Sequence, residues 1–187
     1  MTRSELKASL LVAMPQMQDP NFSRTVVLLV EHDSESSFGL VLNREVDLSL
    51  ADLFSNLGCE WHGPQDERAA WGGPVSLDSG WMLFGDLLSG PVEGEGVSTV
   101  VGGVNLASSM DVFQLLAESP PQDVRFFLGY AGWGRGQLEF EIEQGAWLSA
   151  EATPEIVFGF SADEMWEGVV RGLGIDPGSL VATSGVH

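Results

Sequence analysis

The sequence predicts an α+β fold with a mostly antiparallel or mixed sheet, and three observations support this prediction. Two β-rich runs, residues 25–30 and 38–43, are separated by a short polar stretch and indicate a hairpin. Capping boxes, in which a serine precedes an acidic residue by three positions, begin isolated helices elsewhere in the chain. Strands and helices do not alternate regularly, as they would in a parallel α/β fold.

The first half of the chain carries the strongest strand signals. Residues 9–13 form a short apolar run. Residues 25–30 are rich in β-branched side chains and apolar on both faces, which favours a central strand, and residues 38–43 supply its hairpin partner. The first capping box then predicts a helix over residues 49–57, which Gly58 ends.

The middle of the chain alternates between irregular segments and short strands. Residues 59–70 are polar and predict an irregular segment, and residues 71–75 predict a tight glycine–proline turn. Strands are predicted over residues 80–85 and 97–101. A second capping box predicts a helix over residues 108–118.

The most distinctive stretch of the sequence is rich in glycine. Residues 124–128 predict a buried strand, and the four glycines within residues 129–136 predict a turn through backbone angles that a Cβ would forbid. A short helix follows, with Leu138 and Ile142 one turn apart on its inner face. Gly145 is suited to ending this helix in a left-handed conformation before the next strand.

Nothing in the last part of the chain divides it into separate domains. A third capping box predicts a helix over residues 161–171, and the glycine-rich tail from residue 172 is expected to pack loosely. The sequence contains no repeat, low-complexity tract or long linker. Residues 1–187 are therefore expected to form a single domain.

The charge of the chain argues against nucleic acids and membranes as direct partners. With 27 acidic and 8 basic residues, the formal net charge is −19 at pH 7. A field of this sign repels phosphate backbones and anionic lipid surfaces. The single cysteine, Cys59, gives no internal disulfide, and the short apolar stretch near the start fits neither a signal peptide nor a transmembrane helix. These features predict a cytoplasmic protein.

The glycine-rich turn and one arginine are the candidates for binding an anion. Amide groups of the turn, next to a helix start and helped by Arg135, could hold a phosphate. The pattern is not the G-x-G-x-x-G of dinucleotide sites, and a tight turn that lets Tyr130 and Trp133 pack is the alternative. Asn43 and Arg44 follow a strand, where the guanidinium could pair with a phosphate or, in so acidic a chain, with a neighbouring carboxylate.

Signals for a metal site or a nucleophilic site are weak. His32 lies between Glu31 and Asp33, but adjacent strand residues point to opposite faces and do not converge on one ion. Cys59 and His62 have ligand spacing without a second pair, and no G-x-S-x-G motif occurs. The sequence therefore predicts no metal and no cofactor, and it gives no signal for a catalytic nucleophile.

Several segments, taken in order, resemble the YqgE/AlgH family of bacterial proteins. They span nearly the whole chain and comprise residues 13–22, 24–33, 39–44, 72–75, 128–139 and 146–148. The resemblance implies a single α+β domain with a bifurcated, largely antiparallel sheet that is partly closed like a barrel and flanked by helices. It implies no particular reaction, and the transcriptional-regulator label that some members carry does not come from a DNA-binding motif. Where relatives tend to have an arginine and a histidine, this chain has Ser79 and Phe84.

The sequence thus predicts a binding or regulatory domain without enzymatic activity. Its ligand, a small molecule or another protein, is expected on a surface formed by four loops that carry Asp19, Phe22, Arg24, Asn43, Arg44, Gly72, Gly73, Pro74, Tyr130, Trp133, Arg135 and Gly136. The alternative is a nucleotide- or phosphate-binding protein or enzyme that uses Arg44 and the glycine turn at residues 129–136. Direct binding to DNA is disfavoured by the charge, and the sequence leaves the oligomeric state open.

Overall fold

A curled sheet lies at the centre of the fold. The computed structural model describes residues 8–92 and 94–183. In this part of the chain ten strands form a mostly antiparallel half-barrel with helices on its flanks. The predicted α+β class, the mostly antiparallel sheet and its partial closure into a barrel are therefore confirmed.

Strands dominate the first part of the chain and helices the last. The strands are β1 (Ser9–Ala13), β2 (Val26–His32), β3 (Ser37–Val41), β4 (Glu45–Ser49), β5 (Arg68–Trp71), β6 (Val75–Phe84), β7 (Val97–Val101), β8 (Val104–Ala107), β9 (Val124–Trp133) and β10 (Trp147–Glu151). The helices are α1 (Leu50–Asn56), α2 (Met110–Glu118), α3 (Gln137–Glu143), α4 (Pro154–Gly159), α5 (Ala162–Gly172) and α6 (Pro177–Thr183).

Strand β9 joins the two halves of the sheet. The strand order is β10-β1-β2-β3-β9-β6-β8-β7. Residues 124–128 of β9 pair with β6, whereas residues 131–133 pair with β3. Strand β5 also pairs with β9, in the parallel sense, and β4 pairs with β5. The sheet therefore forks along β9, as the resemblance implies.

The predicted glycine turn over residues 129–136 is wrong in its first half. Strand β9 continues through Gly129 and Gly132 to Trp133, and only residues 134–136 turn into α3. Gly129 bends the strand, with φ at 75°, and a Cβ there would lie 2.4 Å from the carbonyl oxygen of Gly73. A glycine inside a strand can mark a close approach of two backbones, and this one lies where β9 changes partners.

Gly72 and Gly73 lie at the crossing where β5 and β6 meet β9. The N–H of Gly72 donates to the carbonyl oxygen of Leu128 at 2.7 Å. A Cβ on Gly73 would lie 2.1 Å from the carbonyl carbon of Tyr130. The Gly-Gly-Pro segment is therefore a junction that permits backbone contact, which goes beyond the tight turn that the sequence predicts.

Three strands, β4, β5 and β8, and two helices, α4 and α6, are not predicted by the sequence. Strands β4, β5 and β8 are four or five residues long, and β4 has no fully buried residue, although Val46 and Leu48 pack against a core cluster. The segment that was expected to be irregular ends in β5. The tail from residue 172 contains α6, and Ile175 and Leu180 pack against the main core cluster, so the expectation of loose packing is wrong there.

The helix ends agree closely with the capping signals. The hydroxyl of Ser49 accepts the N–H of the third helical residue of α1 at 3.1 Å. Ser109, one residue after the predicted Ser108, makes the equivalent bond for α2 at 3.4 Å. Ser161 is the N-cap of α5 but makes no side-chain hydrogen bond. Gly145 follows α3 in the predicted left-handed conformation, with φ at 75°.

Both faces of the central strands are buried. In β2, Val26 and Leu28 belong to one hydrophobic cluster, and Val27 and Leu29 belong to a second cluster on the opposite face. This arrangement is what the continuously apolar run predicts for a central strand. Of the helices in residues 8–92 and 94–183, none is long and apolar enough to cross a membrane.

Candidate functional site

A groove is lined by residues of β3, β6, β7, β8 and β9 and of the segments beside them. Its volume is about 780 Å³. We call it the central groove, and its lining is dominated by four aromatic rings and six serines: Phe38, Trp81, Tyr130, Trp133, Ser36, Ser37, Ser76, Ser79, Ser98 and Ser108. Two other clefts have similar volumes, but loop residues between β6 and β7 and around α2 make up much of their lining, and neither contains an aromatic cluster of this kind.

Three of the rings pack into a cluster on one side of the central groove. The ring centroids of Phe38 and Trp81 are 4.8 Å apart, and those of Phe38 and Tyr130 are 5.1 Å apart. The indole N–H of Trp81 is buried and has no acceptor in the described part of the chain. A buried donor without a partner costs about 1–3 kcal/mol, so a ligand that offers an acceptor to it would be favoured.

A bulge in β6 forms one rim of the central groove. Val75 pairs with Tyr130 and Gly80 pairs with Leu128, so β6 advances five residues while β9 advances two. Within the bulge, Ser76 has a left-handed backbone with φ at 48°. This conformation costs a residue other than glycine about 1–3 kcal/mol, and strain of this kind is concentrated at binding and catalytic sites.

The central groove carries very little charge. Glu31 is the one charged side chain among the described residues that line it. No arginine is part of this lining, although the structure describes several arginines elsewhere. The central groove therefore offers aromatic surface, hydroxyl groups and one carboxylate to a ligand.

Asn43 and Arg44 are held by main-chain groups of the loop between β1 and β2 and of the first residue of β2. The side chain of Asn43 accepts the N–H of Val26 and donates to the carbonyl oxygen of Arg24, both at 2.9 Å. The guanidinium of Arg44 donates to the carbonyl oxygens of Pro20 and Ser23, both at 2.8 Å. The expectation that Arg44 pairs with a carboxylate is therefore wrong, because backbone carbonyls take its place.

The remaining predicted residues of the same loop are also engaged. Arg24 pairs with Glu167 at 3.2 Å, and its guanidinium lies 4.4 Å from the ring centroid of Trp166. Phe22 packs against Trp133, with ring centroids 6.3 Å apart. Asp19 accepts the N–H of the residue two positions later at 2.9 Å, which closes a local turn.

The segment between β9 and α3 is exposed. The N–H of Gly134 donates to the side-chain oxygen of Gln137 at 3.0 Å, so this amide is not free for an anion. Gly136 is the N-cap of α3, with φ at 70°. Arg135 has no hydrogen bond or ion pair with any residue that the structure describes.

The structure brings only part of the predicted site together. Tyr130 and Trp133 line the central groove, and Phe22 packs behind Trp133. The other predicted residues lie outside this lining: Asp19, Arg24, Asn43, Arg44, Gly72, Gly73, Pro74, Arg135 and Gly136. That these residues bind a ligand stays a prediction.

Several residues of the central groove have no signal in the sequence. Phe38 and Trp81 belong to ordinary apolar strands, and the serines are scattered over five segments. Only the strand order brings them together. Among the described residues, no group of three or more His, Cys, Asp or Glu side chains is placed to hold a metal ion.

The fold and the groove define a class of protein: a forked α+β half-barrel that carries a groove of aromatic and hydroxyl side chains. A family model described as AlgH-like matches residues 10–178, and the chain belongs to this family. The resemblance seen in the sequence is confirmed by this match.

Relatives and solved structures agree with this assignment. A UPF0301 protein of Myxococcus xanthus is 41% identical over 97% of this chain and 98% of its own length. The UPF0301 protein RSc0675 of Ralstonia nicotianae is 41% identical over 94% of this chain and 92% of its own length. The solution structure of the AlgH protein from Pseudomonas aeruginosa is similar, with a TM-score of 0.76 and 35% identity, covering 97% of this chain and 96% of that one.

Proposed function

We propose that this protein is a regulatory binding domain whose ligand is a small molecule held in the central groove. The observation that carries the proposal is the lining: four aromatic rings and six serines, with Glu31 the one charged side chain among the described lining residues. A volume of about 780 Å³ lies within the range of small-molecule sites. A cytoplasmic location stays a prediction.

The ligand that suits this lining is planar and either uncharged or cationic. Aromatic rings bind planar groups by offset or edge-to-face stacking, which contributes about 0.5–1.5 kcal/mol a pair beyond the area buried. An anion would meet Glu31 without a compensating cation from the described lining, in a chain of formal net charge −19. Cations are attracted both to the carboxylate and to the ring faces.

The phosphate-binding alternative has less support. To hold a phosphate, Arg44 would have to release two carbonyl groups that it contacts at 2.8 Å. Gly134 would have to release the side chain of Gln137. Arg135 is the cation that remains without a partner in the described chain, and it lies outside the lining of the central groove.

A fragment screen by ligand-observed NMR tests the proposal. The library contains planar fragments that are uncharged, cationic or anionic, together with nucleotides. Uncharged and cationic fragments should bind and raise the midpoint of thermal unfolding, because they stabilise the folded state. Tyr130→Ala should abolish this binding, and Arg44→Ala should leave it unchanged.

Two results would contradict the proposal. In one, nucleotides or other anions bind and Arg44→Ala removes their binding, which would favour the phosphate-binding alternative. In the other, no fragment binds to the wild-type protein.

A further inference from the structure

Three polar side chains meet beside the central groove. The hydroxyl oxygen of Ser37 lies 2.5 Å from Nδ1 of His32. On the other side of the same ring, Nε2 of His32 lies 3.2 Å from Oε1 of Glu139. The imidazole thus separates a hydroxyl from a carboxylate.

The fold brings these groups from three elements. His32 ends β2 and pairs with Ser37, the first residue of β3, across the hairpin. A register shift between Leu29 and Glu31 accompanies the burial of His32, which follows an exposed residue. Glu139 lies in the first turn of α3, more than one hundred positions away in sequence.

Burial gives these groups different access to solvent. The side chain of His32 is fully buried, whereas the side chain of Glu139 is 32% exposed. Ser37 is mostly buried but lines the central groove. Ser37 pairs with Trp133 in the sheet, so its hydroxyl group lies on the Trp133 side of the groove, on the face of β3 opposite to the one that carries Phe38.

The order hydroxyl, imidazole, carboxylate is that of an activated nucleophile, its base and the group that orients the base. In serine proteases the hydroxyl contacts Nε2 and the carboxylate contacts Nδ1, whereas here the two nitrogens are exchanged. Either nitrogen can accept a proton when the other carries one. The pair of Nε2 and Glu139 is at ion-pair distance without the alignment of a hydrogen bond. Such contacts often tighten only when a substrate is bound.

We propose that Ser37 is the nucleophile of an acyl-transfer site in the central groove, with His32 as its base and Glu139 as a positioning residue. The substrates are uncharged or cationic aromatic esters. The choice of substrates rests on the proposed function, because these esters would bind in the central groove. The reactivity of Ser37 itself does not.

In the acylation step, Oγ of Ser37 attacks the ester carbonyl carbon and its proton passes to Nδ1 of His32. The bond from the carbonyl carbon to the leaving oxygen breaks, and the alcohol leaves with that proton. Water then attacks the acyl-serine, which releases the acid and restores the hydroxyl of Ser37.

Labelling with an uncharged phenyl fluorophosphonate tests the proposal. Activated serines form an Oγ–P bond with this reagent and expel fluoride. Intact-protein mass spectrometry should show one adduct on the wild-type protein, and peptide mapping should place it on Ser37. Ser37→Ala should abolish the adduct, and Ser34→Ala, in the same turn but outside the lining of the groove, should be labelled as fully as the wild type.

The role of Glu139 is tested through the kinetics of labelling. Glu139→Gln should lower the first-order rate constant of labelling at least tenfold and leave the reversible binding constant of the reagent unchanged, because it alters the base and not the groove. Glu143→Gln, an exposed position on the same helix, is the matched control and should change neither constant.

An unlabelled wild-type protein would overturn the proposal, as would an adduct that persists in Ser37→Ala. An equal loss of labelling in Glu139→Gln and Glu143→Gln would overturn the role of Glu139. If fragments bind in the groove while the wild type stays unlabelled, this proposal fails and the proposed function stands. If Ser37 is labelled although no fragment binds, the proposed function fails and Ser37 keeps its role as a nucleophile.

Discussion

Replacing Gly73 by alanine should destabilise the fold more than any other single methyl addition that we consider. The new Cβ would lie 2.1 Å from the carbonyl carbon of Tyr130 and 2.2 Å from its oxygen, whereas real Cβ contacts are essentially never below 3.0 Å. The obstructing atoms are backbone of β9, which its ladders with β3 and β6 hold in place. Removing this overlap therefore requires the backbone around Gly73 to move away from β9 at the fork.

The cost can be estimated from the effects of overpacking. Adding a methyl group to a filled space costs about 1–3 kcal/mol, and the rigid obstacle places Gly73→Ala at the upper end, near 3 kcal/mol. At about 2–4 °C per kcal/mol for a chain of this size, the midpoint of thermal unfolding should fall by about 6–12 °C. Equilibrium unfolding in urea, followed by circular dichroism, measures the free energy directly.

Gly159→Ala is the control for this experiment. A Cβ on Gly159, at the end of α4, would meet no atom within 4 Å, so its stability should change by less than about 1 kcal/mol. The account of the fork is wrong if the free energy of unfolding of Gly73→Ala lies within 0.5 kcal/mol of the wild-type value, which is roughly the spread of neutral surface changes.

Two further substitutions test the contacts that surround the site. Arg44→Ala should lower the free energy of unfolding by about 2 kcal/mol, because it leaves two carbonyl groups without their charged donor, and Arg44→Lys should not restore it, since an ammonium lacks the fork. Equal stability of Arg44→Ala and wild type in urea would contradict this. Trp166→Phe should lower the free energy of unfolding by about 1–3 kcal/mol, because the indole N–H of Trp166 donates to the buried carbonyl of Ala13 at 2.8 Å. Trp81→Phe removes an N–H without an acceptor among the described residues and should lower the free energy of unfolding by less. A larger loss in Trp81→Phe than in Trp166→Phe would refute the assignment of the Trp81 N–H as a donor without a partner.

The features that the sequence predicts well are local. The β2–β3 hairpin follows from two apolar runs and a short turn, and the Ser49 cap depends on residues three positions apart. The end of α3 is predictable because glycine is itself the signal for a left-handed residue, and Gly145 adopts that conformation. These elements need no information from the rest of the chain.

Features that depend on distant partners are not predicted. Gly129 looks like a turn residue, and only the approach of Gly73, more than fifty positions earlier, makes it a bend inside a strand. The acidic composition predicts a carboxylate as the partner of Arg44, yet its acceptors are two backbone carbonyl groups of a loop. In both cases the partner is backbone, which carries no residue signature.

In the candidate site, too, the sequence predicts local features and misses those that depend on distant partners. Tyr130 and Trp133 are predicted because they flank the glycines, whereas Phe38 and Trp81 join them only through strand order. The contact of His32 with Ser37 could be inferred from the hairpin register, since the two residues pair. Glu139 could not, because the packing of α3 brings it there.

The most direct test of the central groove as a ligand site is a titration followed by the indole N–H signals in a ¹H–¹⁵N NMR spectrum. Benzamide and benzoate share a planar ring and differ in charge, and Trp81→Phe and Trp133→Phe identify the two signals of interest. Benzamide should shift the Trp81 and Trp133 signals along a saturable curve, and benzoate should not. Shifts confined to other tryptophans, or equal shifts with both probes, would contradict the assignment of an uncharged ligand to this groove.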